Sequence, residues 1–335
     1  MRIIIALMVW LLPMGVSGQE WEDRQLFSRP GASETLRIIS STDTTLFAPI
    51  IESFLSKAPN IAIEYLEAGT ANIDRIFRAQ PDAFDVVISS AMDLQLKIAN
   101  DGLAMRLSNV SHPPWAQWRQ SLFAFTSEPA AIVINRAAFE GYPTPTTRQE
   151  LIEAMRARPE IFAGRVGTYD VRKSGLGYLF ATQDARASET YWRLMEVMGA
   201  LDVHLYCCSG EMIDDLSDGT IAVAYNVLGS YAAARSEAKD VIQIILPADF
   251  PTTMMRTAMV SVDAPLPEHA INFVRHLVAL QANADQSTFP LPPLSGQTQG
   301  VERATISLEP ALMTFLDTLK RQRFLAEWED AVIQE

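Results

Sequence analysis

The chain has 335 residues, 48% of them hydrophobic, which suits a folded protein of roughly two domains and argues against a disordered chain. Its 27 basic and 40 acidic residues give a formal net charge of −13, which argues against nucleic acid and anionic membrane surfaces as partners. A small anion held at one local site is compatible with this charge.

The N-terminus has the pattern of a secretory signal peptide. Met1-Arg2 is positively charged, residues 3–12 are apolar, and small residues follow at 15–18. The apolar run is too short to span a bilayer. We therefore expect cleavage near Gly18 and export of a soluble protein to the periplasm. The polar residues 19–34 predict an irregular leader.

Residues 35–102 alternate between predicted strands and amphipathic helices. This order predicts a parallel sheet whose binding site lies outside the carboxyl ends of the strands. The loops that follow the three strands carry hydroxyl groups and a glycine: Ser41, Thr42, Gly69, Thr70, Ser89 and Ser90. One such loop is explained by helix capping, but three at equivalent positions favour contacts with a ligand.

The stretch 165–180 predicts a short strand, a polar loop and the start of a helix. Ser174 stands at the N-cap position, and Gly175 lets a ligand approach the first turn. Unpaired N–H groups and the positive end of the helix dipole make that turn a site for a small anion. Arg172 adds a positive charge, directed either to the ligand or to the outer side of the loop. A capped helix without a ligand is the alternative.

The second half repeats the α/β alternation. Residues 130–135 predict a strand that crosses into a second domain, and 257–262 predict the return crossing. Helices are predicted at 267–282, 308–320 and 322–332. We divide the chain into lobe 1 (35–130 plus 259–305), lobe 2 (131–258) and C-terminal helices (306–335).

Little in the sequence indicates catalysis or a metal site. Ser174 lacks the preceding glycine of a nucleophile elbow, and the four His lack partners at metal-ligand spacing. The two cysteines, Cys207 and Cys208, are adjacent. A strained disulfide is one alternative, but adjacent cysteines fit disulfide geometry poorly, so we expect two thiols. We expect no cofactor, no metal and no enzymatic activity.

Three segments carry a family resemblance. Residues 170–178 read Asp-Val-Arg-Lys-Ser-Gly-Leu-Gly-Tyr, similar to an Asp-x-x-x-Ser-Gly-x-Gly loop. Residues 224–231 resemble a strand-to-helix segment that lines a cleft, and 247–262 resemble the entry to a hinge strand. The chain thus resembles the bacterial extracellular solute-binding proteins of ABC importers, in the branch of ferric-iron, thiamine, polyamine and phosphonate binders.

The resemblance implies an α/β fold of type II periplasmic binding proteins, in which two lobes, each a mostly parallel sheet flanked by helices, are joined by two hinge strands. Carried over by position, it places the following residues in the cleft: Ser41, Thr42, Ser89, Ser90, Ser174, Gly175, Tyr225 and Asn226. Ferric binders use two adjacent tyrosines, and no such pair exists here, which argues against direct iron binding.

The resemblance further implies a monomer that captures a small polar, anionic solute (a carboxylate, phosphate or phosphonate) and delivers it to an ABC permease. Two alternatives stay open. One is a ligand-sensing subunit for a two-component sensor kinase, and the other is an exported transferase on the same scaffold.

Overall fold

A computed structural model of the protein describes residues 21–235, 239–283, 285, 287–294 and 305–334, so the predicted signal peptide lies outside the described residues. Its helices and strands form two lobes, each built on one sheet. None of the described helices combines the length and apolar character that crossing a bilayer requires.

The first lobe contains a seven-stranded sheet. Its strands are β1 (Asp23–Phe27), β2 (Glu34–Ser40), β3 (Ile61–Glu67), β4 (Val86–Ser89), β5 (Gln117–Trp118), β6 (Leu122–Ala124) and β13 (Thr257–Val260), in the order β1-β3-β2-β4-β13-β6-β5. Its helices are α1 (Thr44–Leu55), α2 (Thr70–Ala79), α3 (Met92–Asn100) and α10 (Pro267–Ala282). β2 pairs in parallel with β3 and β4, as the alternation predicts, and the flanking pairings are antiparallel.

The second lobe contains a six-stranded sheet. Its strands are β7 (Glu128–Asn135), β8 (Val166–Tyr169), β9 (His204–Tyr206), β10 (Val223–Leu228), β11 (Ile242–Ile245) and β12 (Thr253–Met254). They run in the order β11-β7-β10-β8-β9, with β12 beside β7. Its helices are α4 (Arg148–Ala157), α5 (Pro159–Phe162), α6 (Gly175–Ala187), α7 (Thr190–Ala200), α8 (Ser209–Asp218) and α9 (Gly229–Ala234). Short 3₁₀ turns occur at Pro81–Ala83, Pro114–Ala116 and Arg136–Phe139.

The central strands are continuous apolar runs because helices cover both faces of each sheet. Ile132, Val133 and Ile134 of β7 are fully buried, as are Val86, Val87 and Ile88 of β4. The burial of these runs fixes the positions of the strand ends, and the loops that leave those ends form the site described below.

Two extended crossings connect the lobes and run side by side: residues 125–127, between β6 and β7, and residues 255–256, between β12 and β13. The Phe125 N–H donates to the Arg256 carbonyl at 2.9 Å, and the Arg256 N–H donates to Thr126 Oγ1 at 2.8 Å. Arg256 Nε forms an ion pair with Glu128 Oε1 at 3.1 Å, and both side chains are fully buried. This pair reaches both lobes, since Arg256 donates to Thr42 Oγ1 at 2.7 Å and Ser230 Oγ donates to Glu128 Oε2 at 2.6 Å.

Three sequence-based expectations differ from the structure. The expected leader contains strand β1, which pairs with the edge strand β3 through backbone bonds and buries only Phe27, so its side chains gave little signal. Residues 257–260 lie in the first sheet, so the return crossing precedes them. The helix expected at 308–320 is a 3₁₀ segment, Pro310–Leu316, and the last helix, α11, spans Thr318–Val332.

The C-terminal segment contacts both lobes. Its 3₁₀ part, Pro310–Leu316, packs against α3 of the first lobe, whereas α11 packs against α7 of the second. The Tyr178 hydroxyl on α6 donates to the Phe315 carbonyl at 2.6 Å, and Trp328 of α11 is fully buried. The two lobes are therefore linked by this segment as well as by the two crossings.

Candidate functional site

A cleft lies between the lobes, at the carboxyl ends of their parallel strands. The first lobe contributes Glu22, Ser41, Asp43, Thr70 and Ser90, and the second contributes Tyr169, Ser174, Leu176, Cys207, Cys208, Ser209, Leu228 and Tyr231. The closed lobes leave a cavity of about 40 Å³ at this cleft, far below the roughly 300–1,000 Å³ of typical ligand pockets, so the lobes must separate to admit a solute.

The amino ends of five helices meet at this cleft. They belong to α1, α2 and α3 of the first lobe and to α6 and α8 of the second. In each helix the first N–H groups have no partner within the helix, and the peptide dipoles add a partial positive charge there. The helix ends favour negative charge in the cleft, the carboxyl groups of Glu22 and Asp43 oppose it, and no Arg or Lys lines the cleft within the described residues.

Ser174 fixes the start of α6. Its hydroxyl accepts from the Gly177 N–H at 3.1 Å, which is the N-cap bond that the sequence predicts. Gly177 packs so closely on Tyr169 that an added Cβ would lie 2.9 Å from Tyr169 Cγ. Tyr169 in turn shares a 2.5 Å hydrogen bond with Ser209 Oγ at the start of α8. The first turns of α6 and α8 are thus held in one arrangement.

The two lobes touch each other directly across the cleft. The Leu176 N–H donates to Thr70 Oγ1 at 3.1 Å, and the Tyr231 hydroxyl donates to Asp43 Oδ1 at 2.7 Å. A Cβ on Gly175 would lie 3.0 Å from Leu94 Cδ1 of the first lobe. The structure therefore shows the lobes in a closed arrangement, in which even a small side chain at Gly175 is crowded.

Carboxyl groups of the first lobe lie beside the helix ends. Burial raises the pKa of Glu22, and the charge of Asp43 adds to this effect. Burial also raises the pKa of Glu67 to about 7, although hydrogen bonds from Thr44 oppose the rise. These groups accept hydrogen bonds, so the cleft combines N–H donors with carboxyl acceptors.

The structure gathers part of the predicted site. Ser41, Thr70, Ser90 and Ser174 line the cleft, and Gly175 lies in the contact between the lobes. Gly69 caps α2, and its N–H donates to the Glu22 carboxylate. Thr42 and Ser89 are buried behind the cleft: Thr42 accepts from Arg256, and Ser89 Oγ accepts from the Ala91 N–H.

The structure directs Arg172 away from the cleft. Its guanidinium donates to Asp170 at 2.7 Å and to Glu329 of α11 at 3.3 Å, and it lies 5.6 Å from the ring of Trp328. Of the two orientations that the sequence left open for Arg172, the structure shows the one on the outer side of the loop and not the contact with the ligand. The physical reason is that Asp170, two residues earlier, accepts two hydrogen bonds from the guanidinium.

Tyr225 and Asn226 also lie outside the cleft, in the core of the second lobe. The Tyr225 hydroxyl donates to Asp184 at 2.6 Å and accepts from Arg148 Nε at 2.6 Å, while Asn226 donates to Asp184 at 2.8 Å. Arg148 and Asp184 form an ion pair with no side-chain exposure. Buried charges need such partners, so these polar residues satisfy an internal network.

Cys207 and Cys208 form a disulfide, contrary to the expectation of two thiols. They line the cleft and precede α8, in the loop after β9. The sequence assigns the loops after the first three strands to the site. The same reasoning applied to the loop after β9 would have identified Cys207 and Cys208. With Glu211 they form a close group of metal-ligand atoms, but the S–S bond removes the thiolates that a metal needs.

The fold occurs in known binding proteins. No family profile and no curated protein matches the chain. The structure is similar to the substrate-binding protein of an ABC transporter from Agrobacterium tumefaciens, with a TM-score of 0.85 and 31% identity over 92% of this chain and 98% of that one. Two more distant structures share the fold. Iron-bound HitA from Pseudomonas aeruginosa has a TM-score of 0.67 and 13% identity over 89% of this chain and 99% of that one. AfuA from Actinobacillus pleuropneumoniae, with fructose-6-phosphate bound, has a TM-score of 0.71 and 13% identity over 91% of this chain and 100% of that one.

Proposed function

The chain belongs to the substrate-binding proteins of ABC transporters, which have the two-lobed type II periplasmic-binding fold, and on this premise we propose that it captures a small polar, anionic solute between its lobes and delivers it to an ABC permease. The proposal includes export to the periplasm, action as a monomer without a cofactor, and release of the solute unchanged. It also includes the division into lobe 1 (35–130 plus 259–305), lobe 2 (131–258) and C-terminal helices (306–335), whose lobe boundaries fall within strands β7 and β13 and so differ by two or three residues from the limits of the two sheets.

The convergence of five helix amino ends on the cleft carries this proposal. A carboxylate, phosphate or phosphonate group at such a point accepts bonds from N–H groups and is favoured by the dipoles. Ser41, Ser90 and Ser209 add hydroxyl donors from both lobes. A solute that contacts both lobes at once favours the closed arrangement over an open one.

The carboxyl groups of Glu22 and Asp43 restrict the rest of the solute. A solute that is anionic throughout would be repelled by them, whereas hydroxyl or amino groups would donate to them. We therefore propose a solute with one anionic group and one or more donor groups. Hydroxylated phosphate esters, the class of the ligand named for AfuA, have both features.

The sensing alternative uses the same cleft and differs only in the partner. Uptake of the solute by vesicles that contain the permease, dependent on this protein, supports delivery, whereas binding to a sensor kinase alone supports sensing. The transferase alternative requires turnover of the bound solute.

Native mass spectrometry of the protein purified from its own periplasm tests the proposal. We expect an added mass that is lost on unfolding and corresponds to a small molecule with an anionic group. A retained cationic solute, or the absence of binding to a panel of phosphate esters, phosphonates and carboxylates, would contradict it.

Replacing Gly175 by Leu is expected to remove the retained solute while leaving the fold intact. Because an added Cβ would already lie 3.0 Å from Leu94 Cδ1 and 3.2 Å from Ala91 Cβ, a larger side chain prevents closure. The same mass measurement checks this. Gly210→Ala is the matched control, because its Cβ would have only ordinary contacts at 3.6 Å or more. Retention of the solute by the Gly175→Leu variant would contradict the closed arrangement as the state that traps it.

A further inference from the structure

A second cavity lies where the two lobes and the C-terminal segment meet. Helices α2 and α3 of the first lobe, α6 of the second and the residues around Leu316 and Arg321 form its walls. Its volume is about 520 Å³, and none of its lining residues lines the solute cleft, although Gly175 is next to Ser174 and Leu176 of that cleft. The solute cleft therefore does not account for it.

One wall carries a buried carboxyl group with an unused acceptor. Asp93, in the first turn of α3, is 2% exposed, and its Oδ1 atom has no hydrogen-bond partner within the described residues. Buried polar atoms are nearly always paired, and an unpaired one destabilises the fold. Burial raises the pKa of Asp93 to about 7. The group is therefore short of a hydrogen-bond donor.

The opposite charge comes from the C-terminal helix. The Arg321 guanidinium lies 4.3 Å from the ring of Tyr178 and interacts with the hydroxyl of that residue, and it forms no ion pair with a carboxylate of the described residues. Other charged groups of the cavity are already paired, since Arg78 binds Asp74 at 2.8 Å and Lys97 binds Asp101 at 2.9 Å. Asp93 and Arg321 influence each other electrostatically without making contact. Among the described residues that line this cavity, Asp93 and Arg321 are the charged groups without an ion-pair partner.

We propose that this cavity binds a small zwitterion, whose ammonium group pairs with Asp93 and whose carboxylate pairs with Arg321. Its aliphatic part lies against Leu316 and the ring of Tyr178. Because the walls belong to both lobes and to α11, the bound zwitterion favours the closed arrangement. The site thus regulates solute retention from outside the cleft.

Calorimetric titration of the intact protein at a pH of about 8 tests this proposal with glycine, β-alanine and γ-aminobutyrate, which differ in the separation of their charges. We expect one of them to bind, and butylamine and butyrate, which carry one charge each, to bind at least about tenfold more weakly. Failure of all three amino acids to bind would overturn the proposal.

Variants locate the binding. Asp93→Asn, which keeps the shape of the side chain, and Arg321→Gln are expected to weaken binding at least about tenfold, whereas Arg323→Gln, exposed on the same helix, leaves it unchanged. Asp43→Asn changes the solute cleft and not the second cavity, so we expect this variant to bind the zwitterion unchanged. Binding that survives Asp93→Asn, or that is lost in Asp43→Asn, would overturn the proposal and assign the zwitterion to the cleft.

Discussion

Replacing Arg256 by Gln is expected to lower the free energy of unfolding by about 3–5 kcal/mol, because the change leaves Glu128 charged and buried without its partner. Three further bonds depend on the arrangement of this pair. Arg256 donates to Thr42, and Glu128 accepts from Thr126 and Ser230. Urea-induced unfolding of the two proteins measures the difference.

Two controls separate the buried charge from other effects. Arg24, whose side chain is 62% exposed, pairs with Glu64 at the surface, so Arg24→Gln is expected to cost at most about 1 kcal/mol. The double change Glu128→Gln with Arg256→Met removes both charges and is expected to recover part of the loss. A loss in Arg256→Gln no larger than that in Arg24→Gln would contradict this view of the crossings.

The change Gly177→Ala is expected to destabilise the protein by about 1–3 kcal/mol, although alanine favours helices by about 1 kcal/mol over glycine. The added Cβ would lie 2.9 Å from Tyr169 Cγ and closer still to Tyr169 Cβ, and it would also lie 3.1 Å from Ser174 Cβ. Atoms so near the main chain cannot rotate away, so α6 must move. Because Ser174 and Tyr169 line the cleft, we also expect the retained solute to be lost.

Thermal unfolding and native mass spectrometry check both effects. Gly229→Ala is the matched control, since that glycine also begins a helix and its Cβ would meet only atoms at 3.8 Å or more. We expect Gly229→Ala to be neutral or slightly stabilising. A Gly177→Ala variant as stable as Gly229→Ala, with its solute retained, would show that the close packing on Tyr169 is dispensable.

The sequence predicted the α/β elements because their signals are local. The apolar runs of β4 and β7, the caps of α6 and the span of α10, Pro267–Ala282, are all visible over a few residues. Strand β1 was not predicted because it is held by backbone hydrogen bonds to β3. Such bonds do not depend on the side chains, so they leave no pattern in the sequence.

The sequence indicated which residues line the cleft where their position after a strand decides this, as for Ser41, Ser90 and Ser174. The sequence did not settle where Arg172 and Tyr225 point, because their hydrogen-bond partners decide this. Asp170, two residues away, and Glu329, 157 residues away, both bind Arg172, and Asp184 lies 41 residues from Tyr225. The role of Tyr231, which bonds Asp43 across 188 residues, could not be read from its neighbours for the same reason.

The C-terminal segment has a mechanical consequence. Since Pro310–Leu316 packs on α3 and α11 packs on α7, the lobes cannot swing apart as two bodies on a free hinge. For the lobes to separate, either the 3₁₀ segment must dissociate from α3 or α11 must dissociate from α7. The C-terminal segment thus opposes opening, and under the proposed function we expect the rate of solute release to depend on how fast these contacts dissociate.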